Sequence, residues 1–181
     1  LARTRISASA NPEKQIKDYM FRAQALKHCK ALPYEPDITR WAIPLIFSEG
    51  DVENSRINEH KPAPKPIPED IYHKHILWVG AIIPEQIEYT PEAKKLIKKH
   101  TTDIQDIYLT PALPVVHKGT LKTVQRIAVA KACEQHSTDE TQERIIITPE
   151  IVEMAVKFYR EVLDDLELKE FKEESEGGDV L

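Results

Sequence analysis

With 181 residues, 41% of them hydrophobic, the chain is long enough to bury the core of one ordinary domain or two small ones. Its apolar runs, such as Ile43 to Phe47 and Ile145 to Ile147, fall far short of the roughly 20 residues that cross a bilayer, and a net charge of −5 excludes a uniformly basic, phosphate-coating surface. The acidic excess is local: Glu161 to Leu181 holds nine acidic and two basic residues, which leaves the preceding 160 at about +2.

Leu1 to Asn11 alternates polar and apolar residues instead of joining a basic stretch to an apolar run, so a cytoplasmic location is expected. Two cysteines are too few for a disulfide framework and suit a reducing compartment. Each lies by a histidine, in His28-Cys29 and Cys133-Glu134-Gln135-His136, but the spacing departs from that of zinc fingers, and buried thiols with surface histidines are expected instead.

In chain order, Arg3 to Ala10 reads as a short strand that delivers Asn11 at its tip, where Asn11-Pro12 starts a turn. Ile16, Met20, Ala23, Leu26 and Cys29 recur at helical spacing within Lys14 to Leu32, and Pro33 must end that helix. Ile43 to Phe47 has strand length and closes at the turn Ser48-Glu49-Gly50-Asp51. Prolines 62, 64, 66 and 68 make 59–70 an extended linker, since alternate prolines forbid helix and central strand alike.

Beyond the linker the pattern turns helical, over 71–83, 90–107, 120–135 and 148–166. Two of these helices begin alike, at Thr90-Pro91-Glu92 and Thr148-Pro149-Glu150. The threonine caps free amides, the proline fills the first position without losing a donor, and the glutamate meets the positive end of the dipole. Ile151, Val152, Ala155, Val156, Tyr159, Val162 and Leu163 form a stripe that faces a core. Arg144 to Ile147 suggests a strand that would pair within a small hairpin or wing. The segment 172–181 is too polar to order and is expected to fray. Lys94, Lys95, Lys98, Lys99 and His100 form a local basic cluster, on residues alone a solvated helix face. Residues alone thus define a mainly α chain with a few strands, without a phosphate-binding loop or a nucleophile elbow.

Three pieces, in order, carry a resemblance. Ala2-Arg3-Thr4 followed by Ala10-Asn11-Pro12 resembles the sensor 1 strand of minichromosome-maintenance helicases, which are AAA+ ATPases. Asp37-Ile38-Thr39-Arg40-Trp41-Ala42-Ile43 is similar to the family's Ser-Arg-Phe-Asp-Leu stretch, with Ala42 in place of the usual Asp. Ile76-Leu77-Trp78-Val79, Pro84-Glu85-Gln86-Ile87, Tyr89-Thr90-Pro91-Glu92-Ala93 and Arg126-Ile127-Ala128-Val129-Ala130 look like successive parts of the family's helical lid.

The resemblance implies the C-terminal end of an AAA+ α/β core over 1–58, the proline-rich linker 59–70, a helical lid bundle over 71–171 and the acidic tail 172–181. On residues alone Asn11 is a turn residue and Arg40 a surface arginine beside Trp41. The resemblance implies instead that Asn11 is sensor 1, orienting water or the terminal phosphate, and that Arg40 is the arginine finger reaching a neighbour's nucleotide. Family lids carry a sensor 2 arginine at the start of the helix leading to Arg126. Thr120-Leu121-Lys122-Thr123 has none, and Lys122 is its neighbouring substitute, able to supply charge but not a bidentate fork.

The implied activity is ATP hydrolysis coupled to movement on DNA by a ring of identical subunits, with ATP and Mg²⁺ as cofactors of the complete assembly and the phosphate loop expected upstream of Leu1. Two other classes compete with it. Ala42 and Leu121 favour a non-catalytic helical module that docks on AAA+ subunits, and a winged-helix DNA-binding domain would have to use Lys94 to His100 as its basic patch.

Overall fold

The computed structural model describes residues 9–29, 38–39, 43–52 and 68–177. It is mainly helical, with one pair of strands among the described residues. The chain forms two compact units that interleave in sequence: one takes residues 1–48, 104–119 and 160–181, the other 49–103 and 120–159. This grouping differs from the consecutive division expected from the sequence.

The second unit is organised by two short parallel strands, β1 (Ile87–Tyr89) and β2 (Ile145–Ile147), with Ile87 opposite Ile145 and Tyr89 opposite Ile147. Each strand runs directly into a Thr-Pro-Glu helix start. Helix α3 (Pro91–Tyr108) follows β1 and helix α5 (Pro149–Asp165) follows β2. The Thr90 amide donates to the Ile147 carbonyl at 3.1 Å, which extends the ladder to the helix entrance. The capping geometry follows the sequence reading: the Ala93 amide donates to Thr90 Oγ1 at 3.2 Å and the Ile151 amide to Thr148 Oγ1 at 3.5 Å.

Ile145 and Ile147 are 1% and 0% exposed while Ile146 points the other way and is half-buried, the two-residue alternation of a strand with one covered face. Helix α4 (Thr120–Glu134) adds Val124, Ile127, Ala128 and Ala132 to this core. Helix α2 (Glu69–Ala81) starts two residues earlier than the sequence suggested, because Pro68 is tolerated at its entrance.

The expected wing is corrected. The partner of β2 is β1, a distant stretch running parallel, whereas a wing needs an antiparallel neighbour. The loop before β2 folds back through one antiparallel bridge, Thr138 to Ile145, with the Ile146 amide donating to the Ser137 carbonyl at 2.8 Å. The Asp139 carboxylate closes that loop by accepting from the amides of Glu143 and Arg144 at 3.0 and 3.1 Å.

In the first unit, a single helix over 14–32 is not formed. A 3-10 turn (Ile16–Asp18) and the short helix α1 (Arg22–Lys27) are separated by extended Tyr19 and Phe21. Gln24 interrupts the pattern, since its Oε1 accepts from the Met20 and Phe21 amides at 3.1 and 3.4 Å and so starts a new helix. Met20, which the periodicity assigns to a buried face, is 70% exposed.

Ile43 to Phe47 is likewise not a strand. Among the described residues it has no ladder partner, Phe47 is 80% exposed, and only Ile46 is buried in this run. Residues 1–8 of the expected first strand, most of the proline linker and Arg40 lie outside the described residues.

Segments far apart in sequence meet in this unit. The Ala23 amide donates to the Leu166 carbonyl at 2.8 Å, and Arg22 donates from its backbone to Glu167 Oε2 at 2.8 Å and from its guanidinium to the Ile46 carbonyl at 2.9 Å and Asp165 at 3.1 Å. Glu167, at φ +53°, makes the left-handed joint that lets helix α6 (Leu168–Gly177) leave α5 at a new angle. The acidic tail is therefore helical through Gly177, contrary to the expected fraying. Leu168 and Phe171 bury one side of it, Phe21 meets Phe171 edge to face at 6.3 Å, and Lys169 pairs with Glu173 one turn on.

Candidate functional site

Of the three residues singled out by resemblance, two are described and they fall in different units. Asn11 is exposed in the first unit. Its carbonyl accepts a long contact from Cys29 Sγ at 3.9 Å, and Pro12 bridges Cys29 in antiparallel fashion, so the residue sits at the mouth of a minimal two-strand contact. The Asn11 side-chain amide makes no hydrogen bond to a described residue. Lys122 is exposed in the first turn of α4, in the second unit.

The start of α4 differs electrostatically from the starts of its neighbours. Every helix concentrates unpaired amides and a partial positive charge at its first turn. Helices α2, α3, α5 and α6 each place an acidic residue there: Glu69 and Asp70, Glu92, Glu150, and Glu170. At α5 the acid is engaged, because the Thr148 hydroxyl and its own backbone amide hold the Glu150 carboxyl below the usual glutamate range. The first turn of α4, like that of the short α1, has no acidic residue, and it adds the Lys122 ammonium instead. Arg126, one turn further, is also exposed, and neither cation pairs with a described carboxylate.

Thr120 and Thr123, on the other side of α4, are buried, and the Thr120 hydroxyl bonds the Tyr159 phenol. The buried side fixes the helix, so the exposed side presents two cations on a rigid support. Such a face can attract an anionic group and orient it by charge.

Two clusters escaped the sequence reading. In the first, His100 of α3 sits between carboxylates, with Nε2 2.9 Å from Glu153 of α5 and Nδ1 3.8 Å from Asp103. The spacing of His100 and Asp103 is visible in sequence as one helical turn, but Glu153 arrives from 53 residues away. In the second, His136, in the left-handed region at φ +50°, stacks on Trp78 at 5.4 Å and lies 4.9 Å from the His75 ring. No signal in the sequence joins His136 to α2.

The two histidine-cysteine pairs noted in sequence do not assemble a ligand set. Cys133 is buried, His28 stacks on Tyr19 at 5.6 Å, and among the described residues no group of three or more His, Cys, Asp or Glu side chains can hold a metal ion. No described helix is long and apolar enough to cross a membrane. No protein-family model matches the chain, and no curated protein matches it.

Proposed function

We propose that this chain is the C-terminal part of a minichromosome-maintenance-like AAA+ DNA helicase, the end of its ATPase core followed by its helical lid, acting within a ring of identical subunits. The observation that carries this reading is the acid-free first turn of α4, with Lys122 exposed in it and Arg126 one turn on, in the helix where the family resemblance asks for a phosphate-sensing cation. The order of elements supports it, since the Thr90-Pro91-Glu92 helix start of the resemblance directly follows β1.

In this reading Lys122 meets the nucleotide phosphates as a point charge, Asn11 orients the attacking water or terminal phosphate, and Arg40 reaches the nucleotide of the adjacent subunit. ATP and Mg²⁺ belong to the complete assembly. Among the described residues no group of three or more His, Cys, Asp or Glu side chains could hold the ion.

The test is ATP hydrolysis, with and without single-stranded DNA, by the protein extended upstream to include its phosphate-binding half. Asn11→Ala and Arg40→Ala are each expected to lower the rate roughly a hundredfold or more, as loss of transition-state contacts does. Lys122→Ala is expected to lower it about tenfold, with Lys122→Arg retaining activity. An extended protein that hydrolyses no ATP, or variants that all match the native rate, would overturn the helicase reading.

One observation favours a second reading, a non-catalytic module that docks on other AAA+ subunits. Helix α2 buries none of its residues and exposes Ile71, Tyr72 and Leu77. An inactive extended protein that still joins AAA+ rings would establish that reading instead.

A further inference from the structure

Helix α3 carries Lys94, Lys95, Lys98 and Lys99 within two turns, and all four are exposed. At 3.6 residues per turn they share one arc of the helix, in two rows whose members stand about 6 Å apart along the axis. Like charges at that spacing weaken a helix. Three lysines of other helices are matched within their own helix, Lys74 with Asp70, Lys131 with Glu134 and Lys169 with Glu173, whereas Lys122 is not. Among the described residues none of the four α3 ammoniums reaches a carboxylate.

Two acids near this helix engage its histidine. Asp103, one turn beyond Lys99, lies 3.8 Å from His100 Nδ1, and Glu153 lies 2.9 Å from Nε2. His100 itself is largely covered, its side chain 15% exposed. The imidazole thus engages both carboxylates, while the buried Ala93 and Ile97 hold the opposite side of α3 in the core.

We infer that this face of α3 is a contact surface for the phosphate backbone of nucleic acid. Regularly spaced ammoniums match a polymer whose charges also recur at regular spacing. Between the lysines the arc holds Pro91 and Thr102 and no large apolar side chain, so it lacks what a peptide-binding surface presents at its centre. It has neither arginine forks nor aromatic rings, so it holds phosphates without reading bases. The inference does not depend on ATP hydrolysis and stands or falls apart from the helicase reading.

The test is binding of a labelled single strand and a labelled duplex of mixed sequence to the 181-residue chain across a salt series. With four contacts, affinity falls about a hundredfold for duplex and about fiftyfold for single strand between about 50 and 200 mM salt, because each contact releases fewer counterions from a single strand. Replacing all four lysines by alanine is expected to remove that salt dependence and weaken binding at low salt at least tenfold. Circular dichroism should be unchanged, since all four side chains lie in solvent.

A charge-matched control replaces the exposed Lys14, Lys17, Lys27 and Lys74 and should retain native binding. The inference is overturned if the α3 variant binds as the native chain does, or if the control loses as much. It is equally overturned if the α3 variant keeps its nucleic-acid affinity and loses self-association in sedimentation, which would make the face a protein contact.

Discussion

Replacing Ile147 by alanine tests the strand pair that organises the second unit. Ile147 is 0% exposed and sits at the end of the register opposite Tyr89, just before the Thr148 cap. The substitution removes roughly three carbon groups at ~0.8 kcal/mol each and leaves a cavity that the surrounding core closes only in part. The total cost is about 3 to 4 kcal/mol, which lowers the melting temperature of a chain this size by roughly 10 °C. Ile146, on the other face and half-buried, should cost about 1 kcal/mol or less in the same substitution. Urea unfolding followed by circular dichroism gives both values, provided the slope with denaturant is unchanged. Equal losses for Ile146→Ala and Ile147→Ala would refute the alternating register.

Three further outcomes are expected. Thr90→Ala should cost about 1 kcal/mol by leaving the Ala93 amide uncapped, while Thr90→Ser should be close to native in the same urea titration; equal losses would show that the hydroxyl is not the cap. Tyr108, raised by burial and by its 2.5 Å hydrogen bond to Asp164, should ionise after the exposed tyrosines, as should Tyr159, which burial pushes up to about 12. A phenol raised in the folded state contributes stability below the unfolded value near 10 and loses it as pH rises through the folded value, so Tyr108→Phe should flatten the alkaline loss of stability. Tyrosinate absorbance showing Tyr108 ionising with the exposed phenols would contradict this. The Arg144 amide, then the Thr141 hydroxyl and the Glu143 amide, hold the Asp139 carboxyl below its usual range. Its contribution is complete above the unfolded value of about 3.9 and is lost as pH falls through the depressed one, so Asp139→Asn should remove part of the acid dependence of unfolding. An unaltered acid limb would show that the loop opens without a stability cost.

The helices of the second unit were legible because their start signals are local. Thr90-Pro91-Glu92 and Thr148-Pro149-Glu150 carry cap, first-turn proline and dipole partner within three residues, and both boundaries lie within two residues of the reading. The partner of Ile145 to Ile147 was not legible, because three isoleucines specify a strand but not which distant strand completes it. Periodicity misled at Met20 because Gln24 restarts the helix from a side chain, a competition that apolar spacing does not register. In the tail, composition outweighed Leu168 and Phe171, two apolar residues three apart that suffice to seat a helix within a larger unit. At the candidate site, the exposure of Asn11 and Lys122 was the part that sequence could suggest. The missing acid at the start of α4 acquired meaning only once the helix boundaries were known.

The first unit is assembled from residues 1–48, 104–119 and 160–181, with the Ala23 amide bonded to the Leu166 carbonyl and Phe21 against Phe171. Such a unit cannot close until Leu166 and Phe171 have been made. Helix α1 must wait through the synthesis of the segment up to Phe171, by which time the strands and helices of 87–159 are already complete. At roughly 5 to 20 residues per second, the wait from Phe21 to Phe171 lasts on the order of 10 seconds. Throughout it the apolar side of α1 has no native cover, so nascent chains halted before Leu166 should be the form most readily held by chaperones or cut by proteases.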